Sequence, residues 1–356
     1  MRPSLRTSTA IRRRPTSSES SRAPHLKLGA VVGGLAGLGL AAWLLESYGV
    51  ARIFDVLARV GWLGMLLIVL FHLPQMLFSA LGWKAIAGPA EPRLPLRTYL
   101  SLRWIREAVN NLLPLAQVGG ELVVARLLQR QGAPLAHAIG GAVADLMMEM
   151  ATQVLFTLLG VVLLVHLVGH SEVSDIITRG LWVAALLVAA VFAALWLGLA
   201  ATIERAVLRL GRSLGWPATA QVGGLHAALV SSYRAPGAVV LAGVAHLVSW
   251  LLGGIEVCLV LHFCGLDVGI GPGMIIESLG QAAKSMGFAV PGAVGVQEGG
   301  YVVVCRMLGI SPEIAIALSL VKRLREVVLG IPGLALWQRA QAQAGVVRSS
   351  VPGGMG

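Results

Sequence analysis

Charge is scarce in this chain. Only 13% of its 356 residues are Asp, Glu, Lys or Arg, about half of the roughly 25% typical of a soluble domain, and that scarcity argues against a water-exposed globule. Cysteine is scarcer still. Cys258, Cys264 and Cys305 stand in or beside apolar runs at spacings that match no metal or redox motif, so they read as small core residues and no disulfide is expected. There is no Walker-type glycine loop, no His-Glu-x-x-His and no Gly-x-Ser-x-Gly, which removes the motif case for an ATPase, a metalloprotease or a serine hydrolase. His72, His137, His166, His246 and His262 are scattered, and none forms a helix-spaced pair that also finds a carboxylate. They read as packing or interfacial residues, and neither a metal nor a cofactor is expected.

Hydrophobic residues fill the space that charge leaves, at 56% of the chain. A helix rising 1.5 Å per residue needs about 20 apolar residues to cross a bilayer. Runs of that kind recur at Leu28–Leu45, Val60–Leu81, Leu135–Val168, Leu181–Ala201, Val239–Phe263 and Pro312–Trp337. The expected fold is all-α, a polytopic membrane bundle of about six spans. The net charge of +11 would suggest nucleic acid in a soluble protein, but topology absorbs it through the positive-inside rule. With a cytoplasmic N-terminus, residues 1–27, 83–134, 202–236 and 337–356 place twenty Lys and Arg inside, against Arg52, Arg59 and Arg179 outside. Both termini are therefore expected in the cytoplasm, and nucleic acid is not an expected partner.

Residues 1–27 are Arg-, Ser- and Pro-rich and read as a disordered basic tail, followed by an uncleaved first span rather than a signal peptide. Residues 203–234 form a basic amphipathic stretch that fits a helix lying on the cytoplasmic leaflet. The tail from 341 to 356 is expected to be cytoplasmic.

An internal repeat organises the centre. Residues 95–149 and 272–326 superimpose without a gap at an offset of 177, with ten of 55 positions identical, among them Pro114 with Pro291, Glu121 with Glu298, and Glu149 with Glu326. Each copy reads as a moderately polar helix, a Pro-bearing break, a Glu seven residues after the Pro, a short helix, a Gly/Pro turn and a full span. The breaks are Asn110–Glu121 and Gly287–Glu298. Pro removes a backbone donor and Gly weakens the helix, so these stretches hold backbone polar groups that lipid cannot satisfy. Such backbone belongs in protein or beside a watery cavity, and paired interrupted segments point to a transport site. Residues 98–130 and 275–308 are expected as re-entrant hairpins. Three spans separate the repeats, an odd number, so the two should be inverted relative to one another.

Ionisable side chains sit where lipid should be. Asp145 and Glu149 share a helical face four residues apart, and Lys322, Arg323, Arg325 and Glu326 occupy the equivalent helix of the second copy. The offset aligns Asp145 with Lys322, so acidic and basic clusters are expected to meet across the pseudo-symmetry axis. The hairpins add Arg103, Arg106, Glu107, Asn110 and Asn111 on the first, and Glu277, Gln281 and Lys284 on the second. Gln117 with Glu121, and Gln297 with Glu298, offer hydrogen bonds to hydroxyls or amines. A structural ion-pair network would account for these residues, as would snorkelling to anionic lipid for Arg103 and Arg106. The functional reading is a network that also meets a polar headgroup or relays protons during gating.

Four segments carry a resemblance: Arg106–Glu121, Ile276–Gln281, Val290–Gly300 and Leu318–Glu326. Together they resemble the lysylphosphatidylglycerol synthase transmembrane, or flippase-like, family over residues 28 to about 340, and within it the hopanoid-biosynthesis-associated membrane protein branch. The resemblance implies a bacterial inner-membrane protein that handles lipids, hopanoid or phospholipid, with hopanoid-synthesis enzymes as candidate protein partners. The parent synthases carry a soluble aminoacyl-transferase domain after the membrane part. Only 19 residues follow Trp337 here, so aminoacylation is not carried over.

The leading expectation is a lipid translocase without its own ATPase, its cavity framed by the two hairpins. The alternatives are an intramembrane transferase joining hopanoid to another lipid, with Glu121, Glu298 or Asp145 as general base, and a scaffold for hopanoid-synthesis enzymes. No activated nucleophile is visible.

Overall fold

The computed structural model describes residues 50–87, 94–113, 119–169, 224–287 and 293–349, with scattered positions between 176 and 205. The basic N-terminal tail, the span Leu28–Leu45, most of Leu181–Ala201 and most of the basic stretch 203–234 lie outside the described residues. Among the described residues every regular element is helical and no strand occurs.

The chain runs through α1 (Val50–Ile86), α2 (Leu96–Leu112), α3 (Gly119–Arg130), α4 (Leu135–Val168), α5 (Leu225–Ser232), α6 (Pro236–Phe263), α7 (Ile270–Met286), α8 (Val296–Met307) and α9 (Pro312–Ser349). Punctuation in the sequence sets several of these limits. Pro134 precedes α4 and Gly169, at φ 82°, ends it; Pro236 opens α6. These are the ends where proline and glycine are least costly. Gly61 breaks α1 at φ 58°, ψ −178°, a conformation that residues with a Cβ rarely adopt.

Three helical stretches among the described residues are long and apolar enough to cross a membrane: Leu57–Ile86, Leu135–Leu167 and Pro236–Phe263. They coincide with three of the expected spans. The fourth expected span in the described region, within α9, is a continuous helix of 38 residues whose central charges keep it from qualifying by composition. Those charges point inward: Lys322 and Arg325 are buried, whereas Leu324, Val327, Val328 and Ile331 are exposed along one face. The exterior of α1 is likewise leucine-rich, at Leu63, Leu66, Leu67, Leu70, Leu73 and Leu77. Apolar outside and charged inside reverses the pattern of a surface helix in water. The chain is a multi-pass membrane protein.

The helix limits follow the 177-residue offset. It carries Gly119–Arg130 onto Val296–Met307, the start of α4 onto the start of α9, and the end of α1 at Ile86 onto the end of α6 at Phe263. The α2 and α7 helices are both 17 residues long, with α7 beginning three residues earlier in this frame. The correspondence thus reaches back beyond residues 95 and 272 to include α1 and α6.

Close contacts give the directions of packing. Gly64 lies against Phe263 and Gly82 against His246, so α1 and α6 are antiparallel. Trp83 meets Tyr99 and His72 approaches Glu107, so α1 and α2 are antiparallel as well. The 17-residue helix of each segment packs on the long helix of the other: Gly330 meets Leu112 and Gly333 meets Trp104 between α9 and α2, while Gly160 meets Ser278 and Gln153 bonds Ser285 between α4 and α7. Two apolar cores result. One gathers Val257, Ile275, Tyr301 and Leu318 around α6 to α9; the other gathers Trp83, Leu102, Leu128 and Met147 around α1 to α4. A layer of polar side chains lies between them.

Candidate functional site

Helical spacing presents the first half of this layer. Arg103, Arg106, Glu107 and Asn110 fall on one face of α2, opposite Asp145, Glu149 and Gln153 on α4. Arg103 forks onto both oxygens of Glu149 at 2.8 and 2.7 Å and donates from Nε to Glu107 at 2.6 Å. Arg106 donates to Asp145 at 2.6 Å and to Glu149 at 2.7 Å, with its guanidinium 5.1 Å from the centre of the Trp83 ring. Planar forks of this kind are strong and specific, and the aromatic face adds to the hold.

The second half is built on α7 and α9. Glu277 accepts from Gln281 at 2.8 Å and from Lys322, and Lys284 meets Glu326 at 2.7 Å. Arg325 reaches Glu256, in the middle of apolar α6, where Gln75 of α1 also donates at 2.5 Å and His72 lies at 3.0 Å. Arg323, Ser319 and the Gly295 N–H converge on Glu298, with Arg323 at 2.6 Å, Ser319 at 3.1 Å and Gly295 at 2.7 Å. Gln297 bonds Tyr301 at 3.3 Å beside it.

Taken together, five permanent cations (Arg103, Arg106, Lys284, Lys322, Arg325) and seven carboxylates (Glu107, Glu121, Asp145, Glu149, Glu256, Glu277, Glu326) form the wall and backing of one cavity. Isolated charges at that depth would cost several kcal/mol each; mutual pairing offsets this. The cavity measures about 480 Å³, the size of a small-ligand site.

The structure brings twelve of the sequence-selected residues to the lining: Arg103, Arg106, Glu107, Asn110, Asn111, Glu121, Glu149, Glu277, Gln281, Lys284, Arg325 and Glu326. Asp145 and Lys322 stand directly behind them, fully engaged with Arg106 and Glu277. Gln297, Glu298 and Arg323 sit away from the lining, where α8 packs on α9. Pro114, Gln117 and Pro291 lie outside the described residues. What is described around the two breaks is tight: Gly120 donates to Asn110 at 2.8 Å, and a Cβ there would come within 2.6 Å of the Arg106 carbonyl.

Two expectations are corrected. Asp145 and Lys322 do not meet across an axis, because each is neutralised within its own segment, by Arg106 and by Glu277. Contact between the halves runs through α1 on α6, α2 on α9 and α4 on α7. Histidines also find carboxylates: His246 Nε2 lies 2.9 Å from Asp145, with Ser79 at 3.4 Å on its other nitrogen, and His72 lies 3.0 Å from Glu256 and 3.9 Å from Glu107. Periodicity within one helix could not reveal pairs whose members are 101 and 184 residues apart. Glu256 was detectable, since a lone carboxylate inside an apolar span calls for a partner. The cysteines are free, with Cys264 and Cys305 buried, and no cluster of potential metal ligands occurs among the described residues.

A family model described as the lysylphosphatidylglycerol synthase TM region matches residues 28–333. No curated protein and no solved structure matches the chain.

Proposed function

Because the chain belongs to the lysylphosphatidylglycerol synthase TM region family, we propose that it is a lipid translocase of the bacterial inner membrane. In this reading it moves hopanoid, or a hopanoid-linked or other polar-headed lipid, between leaflets. The carrying observation is the charge-lined cavity of about 480 Å³ set between two apolar cores whose outer faces are leucine-rich. A polar headgroup could exchange hydrogen bonds with that lining while its apolar part stays in the bilayer.

Alternating access is the mechanism we attach to it, by rocking of two inverted repeats, each with a re-entrant hairpin at its break. Helix direction supports the inversion. The α2 helix is antiparallel to α1, and α9 is antiparallel to α2, so α9 runs with α1. The α4 helix is antiparallel to α7, which is antiparallel to α6, which is antiparallel to α1, so α4 runs against α1 and therefore against α9. Equivalent helices α4 and α9 thus point opposite ways. The inward charges of α9 support its being a further span, and both termini belong in the cytoplasm by the positive-inside count.

The test is a leaflet-resolved assay in vesicles, with hopanoid and phospholipid tried separately, comparing protein-containing with protein-free vesicles. Protein-dependent movement between leaflets supports translocation. A new covalent lipid product by mass spectrometry, without movement, would replace it with the transferase reading. Neither movement nor product would favour a scaffold for hopanoid-synthesis enzymes.

A further inference from the structure

The ion inventory of the cavity does not balance with permanent charges. Seven carboxylates face five arginines and lysines, and the network also contains His72 and His246, each within 3.0 Å of a carboxylate oxygen. A cluster removed from water is least costly when neutral overall. The inventory falls two positive charges short of that.

The two histidines are differently placed. His246 is 1% exposed, between Asp145 and Ser79, with Arg106 and Glu149 beyond Asp145. His72 stands at a wall: it borders the large cavity and also a water-sized void of about 20 Å³ lined by Trp104, Leu329 and Gly330. Its Nδ1 is anchored 3.0 Å from Glu256, which Arg325 and Gln75 also hold. Its Nε2 faces Glu107 of α2 across 3.9 Å, too long for a direct hydrogen bond and suited to exchange through water. The other charged groups around it are Arg103 on α2, Glu326 on α9, and Glu277 and Lys284 on α7.

We propose that His72 is a proton-exchange site and that lipid passage through the cavity is coupled to proton movement. With no headgroup present, Nε2 holds a proton taken from cavity water. When a lipid ammonium group settles beside Glu107 and Glu121, it supplies the positive charge those carboxylates need, and Nε2 returns its proton to cavity water. Only an N–H bond forms and breaks, and Glu256 stays ionised beneath Arg325. The inference rests on the translocase reading.

The experiment uses full-length protein in vesicles of phosphatidylethanolamine and phosphatidylglycerol, with a membrane-impermeant amine reagent reporting outer-leaflet phosphatidylethanolamine. One proton exchanged per lipid lets a difference of about one pH unit enrich a leaflet by up to about tenfold. The expected result is gradient-driven enrichment by the wild type and by His166→Gln, a control at the far end of α4. His72→Gln should equilibrate the lipid and ignore the gradient. Wild-type movement that is blind to the gradient overturns proton coupling and leaves translocation standing. A His72→Gln protein that follows the gradient overturns His72 as the site. No movement of phosphatidylethanolamine by the wild type under either condition overturns this inference, which requires an ammonium headgroup, while movement of hopanoid in the same vesicles would leave the translocase reading standing.

Discussion

Glu121 and Glu298 correspond under the 177-residue offset, and the protein treats them in opposite ways. Glu298 is almost fully buried and accepts from the Gly295 N–H, Ser319 and Arg323, pinning the start of α8 to α9. Glu121 borders the cavity, with Asn110 at 3.3 and 3.4 Å and Arg106 Nε at 4.0 Å. The residue type is the same and the surroundings differ. A carboxylate saturated by protein donors fixes a helix end, whereas one with long contacts beside a cavity retains capacity for a ligand. The start of α8 is therefore the better anchored of the two, and the start of α3 is the better placed to meet a ligand.

Substitutions can break or sharpen that contrast. The largest loss is expected on the side of the second segment: Arg325→Met strands Glu256 without its cation, at a cost of about 3–5 kcal/mol. Pairing it with Glu256→Gln should recover much of the loss in thermal unfolding of the detergent-solubilised protein. Next comes Glu298→Ala, which removes the shared acceptor of the Gly295 N–H, Ser319 and Arg323 and should cost about 1.5–3 kcal/mol in all once those donors relax. A smaller effect is expected where α3 meets α2, since Gly120→Ala drives a Cβ towards the Arg106 carbonyl and should cost about 1–3 kcal/mol by overpacking. Glu121→Gln should change stability least, by less than about 1 kcal/mol, since its contacts are long. Equal destabilisation by Glu121→Gln and Glu298→Gln would erase the contrast.

Much of this architecture was legible in the sequence, for identifiable reasons. Long apolar runs located α1, α4 and α6, and the Pro-bearing breaks located the gaps between α2 and α3 and between α7 and α8. The 177-residue offset was visible between residues 95 and 326, whereas the matching ends of α1 and α6 were not, because those helices share apolar character rather than particular residues. Their correspondence shows only in helix ends and packing. The cavity was legible where polar residues recur along one helix, as at Arg103, Arg106 and Glu107. It was hidden where Gln75, His72, His246 and Glu256 stand singly in apolar spans and acquire partners only when α1 packs on α6. For α9, composition obscured what burial makes plain, since its charges face inward and its apolar side chains face out.

The most direct test of the account compares Glu121→Gln with Glu298→Gln in the leaflet-resolved assay, expressing lipid movement per folded molecule. The account predicts that Glu121→Gln remains folded and slows movement at least about tenfold, a barrier change of about 1.4 kcal/mol. It predicts that Glu298→Gln lowers the folded fraction while the folded molecules keep moving lipid. Undiminished movement by well-folded Glu121→Gln protein would contradict the claim that this cavity carries the headgroup.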